Sequence, residues 1–181
     1  MFHSNTEQLI DYWRERRGTD ETPARSTIDP RDFAHVLPQI FMLGRQGPGQ
    51  YRIRLAGGFI ADLYGRELRQ VDFLRIWEET ARTPLQLALE AVRRHPEPIV
   101  VDAEARTQIG ASMRLEVLIA PLTGPSGHVD RLMGLYQPTT PVAGLMGASI
   151  RRLLIHGVTS TAQPDQFPRL RLAAVDGRQI A

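Results

Sequence analysis

Residues 55–67 read LAGGFIADLYGRE, and the reading of this stretch decides the fold. Gly57 and Gly58 end a strand-like run, and Gly65 follows a short apolar segment. Two readings compete: a phosphate-cradling loop before a helix, or the corner where a strand turns into a short helix. The phosphate reading fails on composition and spacing. All 22 basic residues are arginine, so the lysine of a Walker-type loop is missing. GGFIADLYG also lacks the G-x-G-x-x-G spacing of a dinucleotide fingerprint. The corner reading is left. Phe59, Ile60, Leu63 and Tyr64 then form a short amphipathic helix that Gly65 stops in a left-handed conformation.

Upstream of this corner, Gln39–Arg45 and Gln50–Ala56 read as a β-hairpin around Gly44, Gly47, Pro48 and Gly49. In its second strand Tyr51, Ile53 and Leu55 share one face, and Arg52 and Arg54 the other. Downstream, Asp72 is placed to cap a short helix carrying Phe73, Ile76 and Trp77. Thr83-Pro84 predicts the start of a firmer helix, with Leu85, Leu89 and Val92 on one face and Pro96 at its end. Three strands follow. Ile99, Val101, Ala103 and Ala105 alternate with Val100, Asp102, Glu104 and Arg106. Met113, Leu115, Val117 and Ile119 alternate with Arg114, Glu116 and Leu118, and Arg131–Gln137 forms the third strand. On the outer face Glu104, Arg114 and Glu116 are expected to neighbour one another.

At the N-terminus, Ser4 and Glu7 predict a capping box, and Leu9, Ile10 and Trp13 recur at helical spacing. Arg14, Arg16 and Arg17 occupy the last turn and Gly18 ends it. Residues 18–30 read as an extended linker, and Asp29-Pro30 opens a turn through Phe33 and Val36 that ends before Pro38. Residues 138–149 read as a second linker. Arg151–Ile155 and Arg169–Val175 are expected as further strands.

Composition bounds the function classes. A chain of 181 residues, 42% hydrophobic, suffices for one folded domain. No apolar run approaches the ~20 residues of a membrane span, and MFHSNTEQLI lacks a basic region followed by an apolar one. The cytoplasm is the expected compartment, without membrane insertion. The absence of cysteine excludes disulfides, thiolate zinc sites, catalytic thiols and cysteinyl-flavin adducts. The pI of about 9.5 reflects the high pKa of arginine, since the net charge is only +2. The arginines are spread along the chain among carboxylates, which does not favour a nucleic-acid partner.

The order strand, strand, short helices, longer helix, three strands is that of an α+β PAS domain: a five-stranded antiparallel sheet with helices on one face. The stretches DYWRERRG (11–18), TPARSTIDPRDFAHVLPQIFML (22–43), YRIRLAG (51–57), LYGREL (63–68) and FLRIW (73–77) carry a resemblance. Through them the sequence resembles the PAS_5 family of mostly alphaproteobacterial, often single-domain proteins. The resemblance covers about residues 10–137 and is densest in the first half. It implies an N-terminal helix and linker over 1–30, a PAS core over 31–137 and a C-terminal extension over 138–181. Family members similarly place a Gly-Arg pair after the first short helix, so Gly65 is expected to stop the helix. Arg66 is expected to tie the next loop to backbone carbonyls or to a carboxylate.

A PAS fold implies a sensor and interaction module whose cavity holds haem, flavin, an acid or nothing. Candidate walls are Phe59, Leu63, Trp77, Leu85, Leu89, Met113, Leu115 and Val117, with an ordinary filled core as the favoured alternative. Haem is disfavoured: His95, at the end of the long helix, is expected to be exposed and to favour protonation. His35 is expected to pack or hydrogen-bond within its turn, and His3, His128 and His156 lie near the terminus or turns. The enzyme alternative, an isomerase or hydratase, would use Asp62 or Asp102 as a pocket base, although Asp102 alternates outward. The interface candidates are Leu9, Ile10, Trp13, Arg14 and Arg17. The functional reading is a cytoplasmic regulatory PAS module, a homodimer that passes its output to a separate signalling protein, with gating by a small molecule left open.

Overall fold

The corner at Gly57 is shaped by the close approach of two backbones. Gly57 follows strand β2 (Gln50–Ala56), donates its N–H to the Ile40 carbonyl at 2.8 Å, and leads directly into helix α2 (Gly58–Tyr64). A Cβ on Gly57 would collide with the carbonyl oxygens of Leu37 and Pro38, so glycine is required. Gly65 ends α2 at φ 61°, the left-handed cap expected from the sequence. These features come from a computed structural model that describes residues 1–162; the strand expected over 169–175 lies outside that range.

The remaining elements are helix α1 (Ser4–Arg17), strand β1 (Ile40–Gly47), helix α3 (Glu79–Arg94), and strands β3 (Ile99–Thr107), β4 (Ser112–Thr123), β5 (Val129–Pro138) and β6 (Ile150–Ser160). They form one antiparallel sheet of six strands in the order β2-β1-β5-β4-β3-β6. The expected sheet had five strands. The sixth is the further strand expected over Arg151–Ile155, which runs from Ile150 to Ser160; residues 138–149 do more than link, since a 3-10 turn at Val142–Leu145 buries Leu145 and returns the chain beside β3.

Three local expectations are corrected. Helix α3 begins at Glu79 instead of Thr83, with Pro84 inside it, because the Glu78 N–H is anchored on the Leu153 carbonyl at 2.8 Å. Helix α1 is capped by His3, whose Nδ1 accepts from the Asn5 N–H at 3.1 Å, in place of the Ser4–Glu7 box. Glu7 instead accepts the Phe2 N–H. In β2 the register steps from Leu43↔Ile53 to Met42↔Leu55, leaving Arg54 as an extra residue. Such a bulge swaps the faces beyond it. Tyr51 and Ile53 are buried as expected, whereas Leu55 is 51% exposed and Ala56 packs inward instead.

The sheet is apolar on both faces. On one face the odd-numbered residues Met113 to Ile119 join Tyr51 and Ile53 beneath α2, α3 and a 3-10 turn at Phe73–Ile76. On the other, Ile40, Met42, Val100, Leu118, Ala120, Leu122, Met133 and Leu135 lie beneath α1 and a 3-10 turn at Pro30–Gln39. Trp13 anchors that second layer: it is 0% exposed and donates its indole N–H to the Pro121 carbonyl at 2.6 Å. Trp13→Ala is therefore expected to cost about 3–5 kcal/mol in urea unfolding, with Trp13→Phe costing less. A loss below about 1 kcal/mol for the alanine variant would show that α1 is not part of the cooperative core.

Candidate functional site

The helix-covered face gathers most of the expected pocket residues. Leu63 comes from α2, Trp77 from the segment before α3, Leu85 and Leu89 from α3, and Met113, Leu115 and Val117 from β4; all are buried in one cluster. Phe59 is half-buried and packs against them. Aromatic rings line the same layer. Phe41 stacks on Phe73 at 5.3 Å and meets Tyr136 edge-on at 5.5 Å, and Phe73 meets Trp77 edge-on at 5.9 Å. Gly134, the cross-strand partner of Phe41, makes room for that ring, because a Cβ there would run into it. Gly134→Ala should cost about 1–3 kcal/mol in denaturant unfolding and alter the near-ultraviolet circular dichroism of the aromatic layer. An unchanged spectrum and stability would contradict this packing.

Polar atoms in this layer are few. The hydroxyls of Tyr64 and Tyr136 meet at 3.2 Å, and burial raises the pKa of both. The Trp77 indole N–H is buried without a hydrogen-bond partner among the described residues. It is the donor in this layer that an acceptor atom could satisfy.

Carboxylates lie elsewhere. Asp62 is exposed on α2, and Asp102 is exposed on the outer face, where Arg114 Nη2 reaches it at 2.6 Å. Glu104 pairs with Arg106 at 2.7 Å and His156 at 2.9 Å, while the Glu116 carboxylate accepts the His3 N–H at 3.1 Å. Glu104 and Arg114 are direct cross-strand partners with Glu116 beside Arg114 on β4, the neighbourhood expected, but each side chain bonds to a different group. His35 is exposed rather than packed, and His95 is exposed at the end of α3. No group of three potential metal-binding side chains occurs among the described residues.

Sequence reasoning missed Glu90. From α3 it accepts hydrogen bonds from the Tyr51 hydroxyl at 2.7 Å, Arg45 Nε at 3.1 Å and Arg93 Nε at 3.1 Å, tying the helix to the hairpin. Burial opposes its charge, but these donors outweigh it and hold the Glu90 carboxyl at about 2, below its ordinary 4.5. A depressed carboxyl stabilises the fold above its ordinary pKa, and that contribution fades as pH falls from about 4.5 towards 2. Glu90→Gln should flatten the stability-versus-pH curve in that window and cost roughly 1–3 kcal/mol at neutral pH. An unaltered acid limb would contradict the assignment. The signal in the sequence was a carboxylate on α3 close to Arg93 and Arg94, indistinguishable there from a solvated helix charge.

The interface candidates split by depth. Leu9, Ile10 and Trp13 are buried against the chain's own sheet. Arg14 and Arg17 lie half-buried at the rim: Arg14 Nη2 donates to the Thr161 carbonyl at 2.8 Å, and Arg17 pairs with Glu97 at 2.7 Å while covering the Trp13 ring. Arg66 does not tie down its loop. Its guanidinium has no hydrogen-bond or ion-pair partner among the described residues, and Arg52 instead reaches the Gln70 carbonyl at 3.1 Å. Two surface clefts, of about 730 and 430 Å³, are lined by none of the expected pocket residues.

This arrangement, an antiparallel sheet with short helices and one longer helix between its second and third strands, matches a known family. The sequence fits the PAS_5 family of PAS domains over residues 1–137. The chain belongs to that family. Its PAS fold is also similar to solved structures, each at low identity. A light-oxygen-voltage domain studied with a flavin analogue shares 16% identity at a TM-score of 0.48, covering 63% of this chain and 86% of that one. The LOV protein of Rhodobacter sphaeroides shares 9% at 0.47, covering 64% and 70%. The PAS domain from the fruit-fly ELK potassium channel shares 13% at 0.47, covering 61% and 94%. No curated protein matches this PAS domain in sequence. No helix among its described residues is long and apolar enough to cross a membrane.

Proposed function

We propose that this PAS domain is a signalling module that works by self-association and by docking a separate partner protein. The observation that carries the proposal is the second apolar face of the sheet. An antiparallel sheet commonly leaves one face to water, but here Val100, Leu118, Ala120, Leu122, Met133 and Leu135 demand cover on that side. The cover is α1, a 14-residue helix joined to the core through residues 18–29. A helix of this length is marginal by itself in water and draws its stability from the surface it covers. The same groove therefore suits α1 of a second copy, or an amphipathic helix of a partner, bound through an apolar stripe like that of Leu9, Ile10 and Trp13. Arg14 and Arg17 at the rim set its orientation.

Gating by a small molecule enters through the opposite face. A ligand inserted among Phe59, Leu63, Trp77, Leu85, Leu89, Met113, Leu115 and Val117 would offer an acceptor to the Trp77 N–H and displace the helices that cover the sheet. Asp62 and Asp102, the bases named for the isomerase or hydratase alternative, are both exposed, which favours the signalling reading.

Sedimentation velocity and native mass spectrometry of freshly purified protein test the proposal together. A concentration-dependent dimer is expected, and an excess of a synthetic peptide spanning residues 1–18 should convert it to peptide-bound monomer. A monomer at every concentration, or a dimer that the peptide leaves untouched, would sink the α1-groove reading. Retained small-molecule mass lost on Trp77→Phe would support the ligand arm, and retention by that variant would refute the role of the indole N–H.

A further inference from the structure

We infer that the larger cleft is a binding site for a small organic anion, a phosphate or carboxylate group attached to a short apolar chain. The cleft opens where the end of α2, the tip of the β3–β4 hairpin and the start of β6 converge, and it has a volume of about 730 Å³. That size falls within the range of small-ligand sites. Its walls carry Arg66, Gln108, Ile109, Ser149 and Arg151, with Tyr64 at the α2 side.

Charge gives the class of ligand. Two guanidinium groups line the cleft, and none of its lining residues is acidic. Neither Arg66 nor Arg151 has an ion-pair partner among the described residues, so no carboxylate there neutralises the charge they bring to the cleft. Positive charge gathered in a concave surface concentrates anions there. Guanidinium forks match the oxygens of phosphate and carboxylate, and Gln108 and Ser149 add neutral donors. The apolar portion of the ligand follows from Ile109, a large aliphatic side chain that stands 67% exposed at the hairpin tip.

The walls are held in place from behind. Gly65 lies between Tyr64 and Arg66 at φ 61°, and a Cβ on it would strike Ser149 Oγ, so the α2 end and the segment before β6 touch without room between them. Tyr64 is buried and joined through its hydroxyl to Tyr136 on β5. Occupancy of the cleft therefore bears on α2 and, through this pair, on the centre of the sheet. The site does not depend on self-association or on an interior ligand, and its occupancy is measurable in monomer and dimer alike.

Titration of the ¹⁵N-labelled full chain with hexyl phosphate, hexanoate and inorganic phosphate tests the assignment. Saturable shifts confined to the amides around Tyr64–Arg66, Gln108–Ile109 and Ser149–Arg151 are expected with hexyl phosphate, hexanoate or both, and whichever binds names the headgroup. Inorganic phosphate should bind about tenfold more weakly than the preferred hexyl compound. Arg66→Gln and Arg151→Gln should each weaken binding about tenfold or more, while Arg94→Gln, at the far end of α3, leaves it unchanged. Thermal unfolding confirms that these surface variants are folded. Shifts scattered over arginines across the surface, no saturation with either hexyl compound, or wild-type affinity in both cleft variants would overturn the inference.

Discussion

A sheet with apolar side chains on both faces has to be covered twice, and the rest of this structure answers to that requirement. Strand β4 shows it most clearly: Met113, Leu115, Val117 and Ile119 point to one cluster, while Leu118, Ala120 and Leu122 point to the other. Burial of apolar surface at ~25 cal/mol per Å² favours covering both sides. The helices between β2 and β3 cover the first face. Helix α1 and the turn at residues 30–39 cover the second. The outer face is divided along its length, because Asp102, Glu104, Arg106 and Arg114 occupy the half that α1 leaves uncovered. Glu116 sits at the boundary, where its carboxylate accepts the N–H at the start of α1.

The two covers differ in kind. On the first face, α2 and α3 are built into the chain between strands and carry an aromatic layer, fitted so closely that Gly134 must lack a side chain beneath Phe41. Glu90 then fastens α3 to the hairpin through Tyr51 and Arg45. On the second face, α1 precedes all the strands in the chain and is held mainly by Leu9, Ile10 and Trp13, with Arg14 and Arg17 at its rim. The signalling role proposed above needs an element whose position can change at a modest energetic cost. A helix laid on an apolar groove meets that need better than one threaded between strands.

Much of this was legible in the sequence, and the reason is periodicity. Alternation in β3 and β4 is strict enough to assign their inner faces, and Gly57 and Gly65 mark a corner and a helix end where the backbone requires glycine. The residues proposed to wall the sensor layer come together because each lies on an apolar face that the sheet demands. What failed was local and cooperative. Leu55 changed faces because of a bulge at Arg54, which depends on how β1 and β2 pair. Helix α3 started before Thr83-Pro84 because Glu78 found a carbonyl on β6, a strand distant in sequence. Arg66 was expected to hold its loop, but Arg52 took that role from a neighbouring strand.

The sequence by itself determined the PAS order of strands and helices, the inward faces and the exclusion of lysine- and cysteine-based chemistry, since these depend on residue type and short-range spacing. Tertiary structure alone decided where the charges and the N-terminal stripe ended up. It turned Val100 and Leu118 from members of a charged outer face into the floor of an α1 groove, and it brought Arg66 and Arg151 to one cleft across 85 positions of chain. Pairing across a sheet and convergence at a cleft are long-range events. No local pattern in a chain encodes which distant residue will arrive opposite.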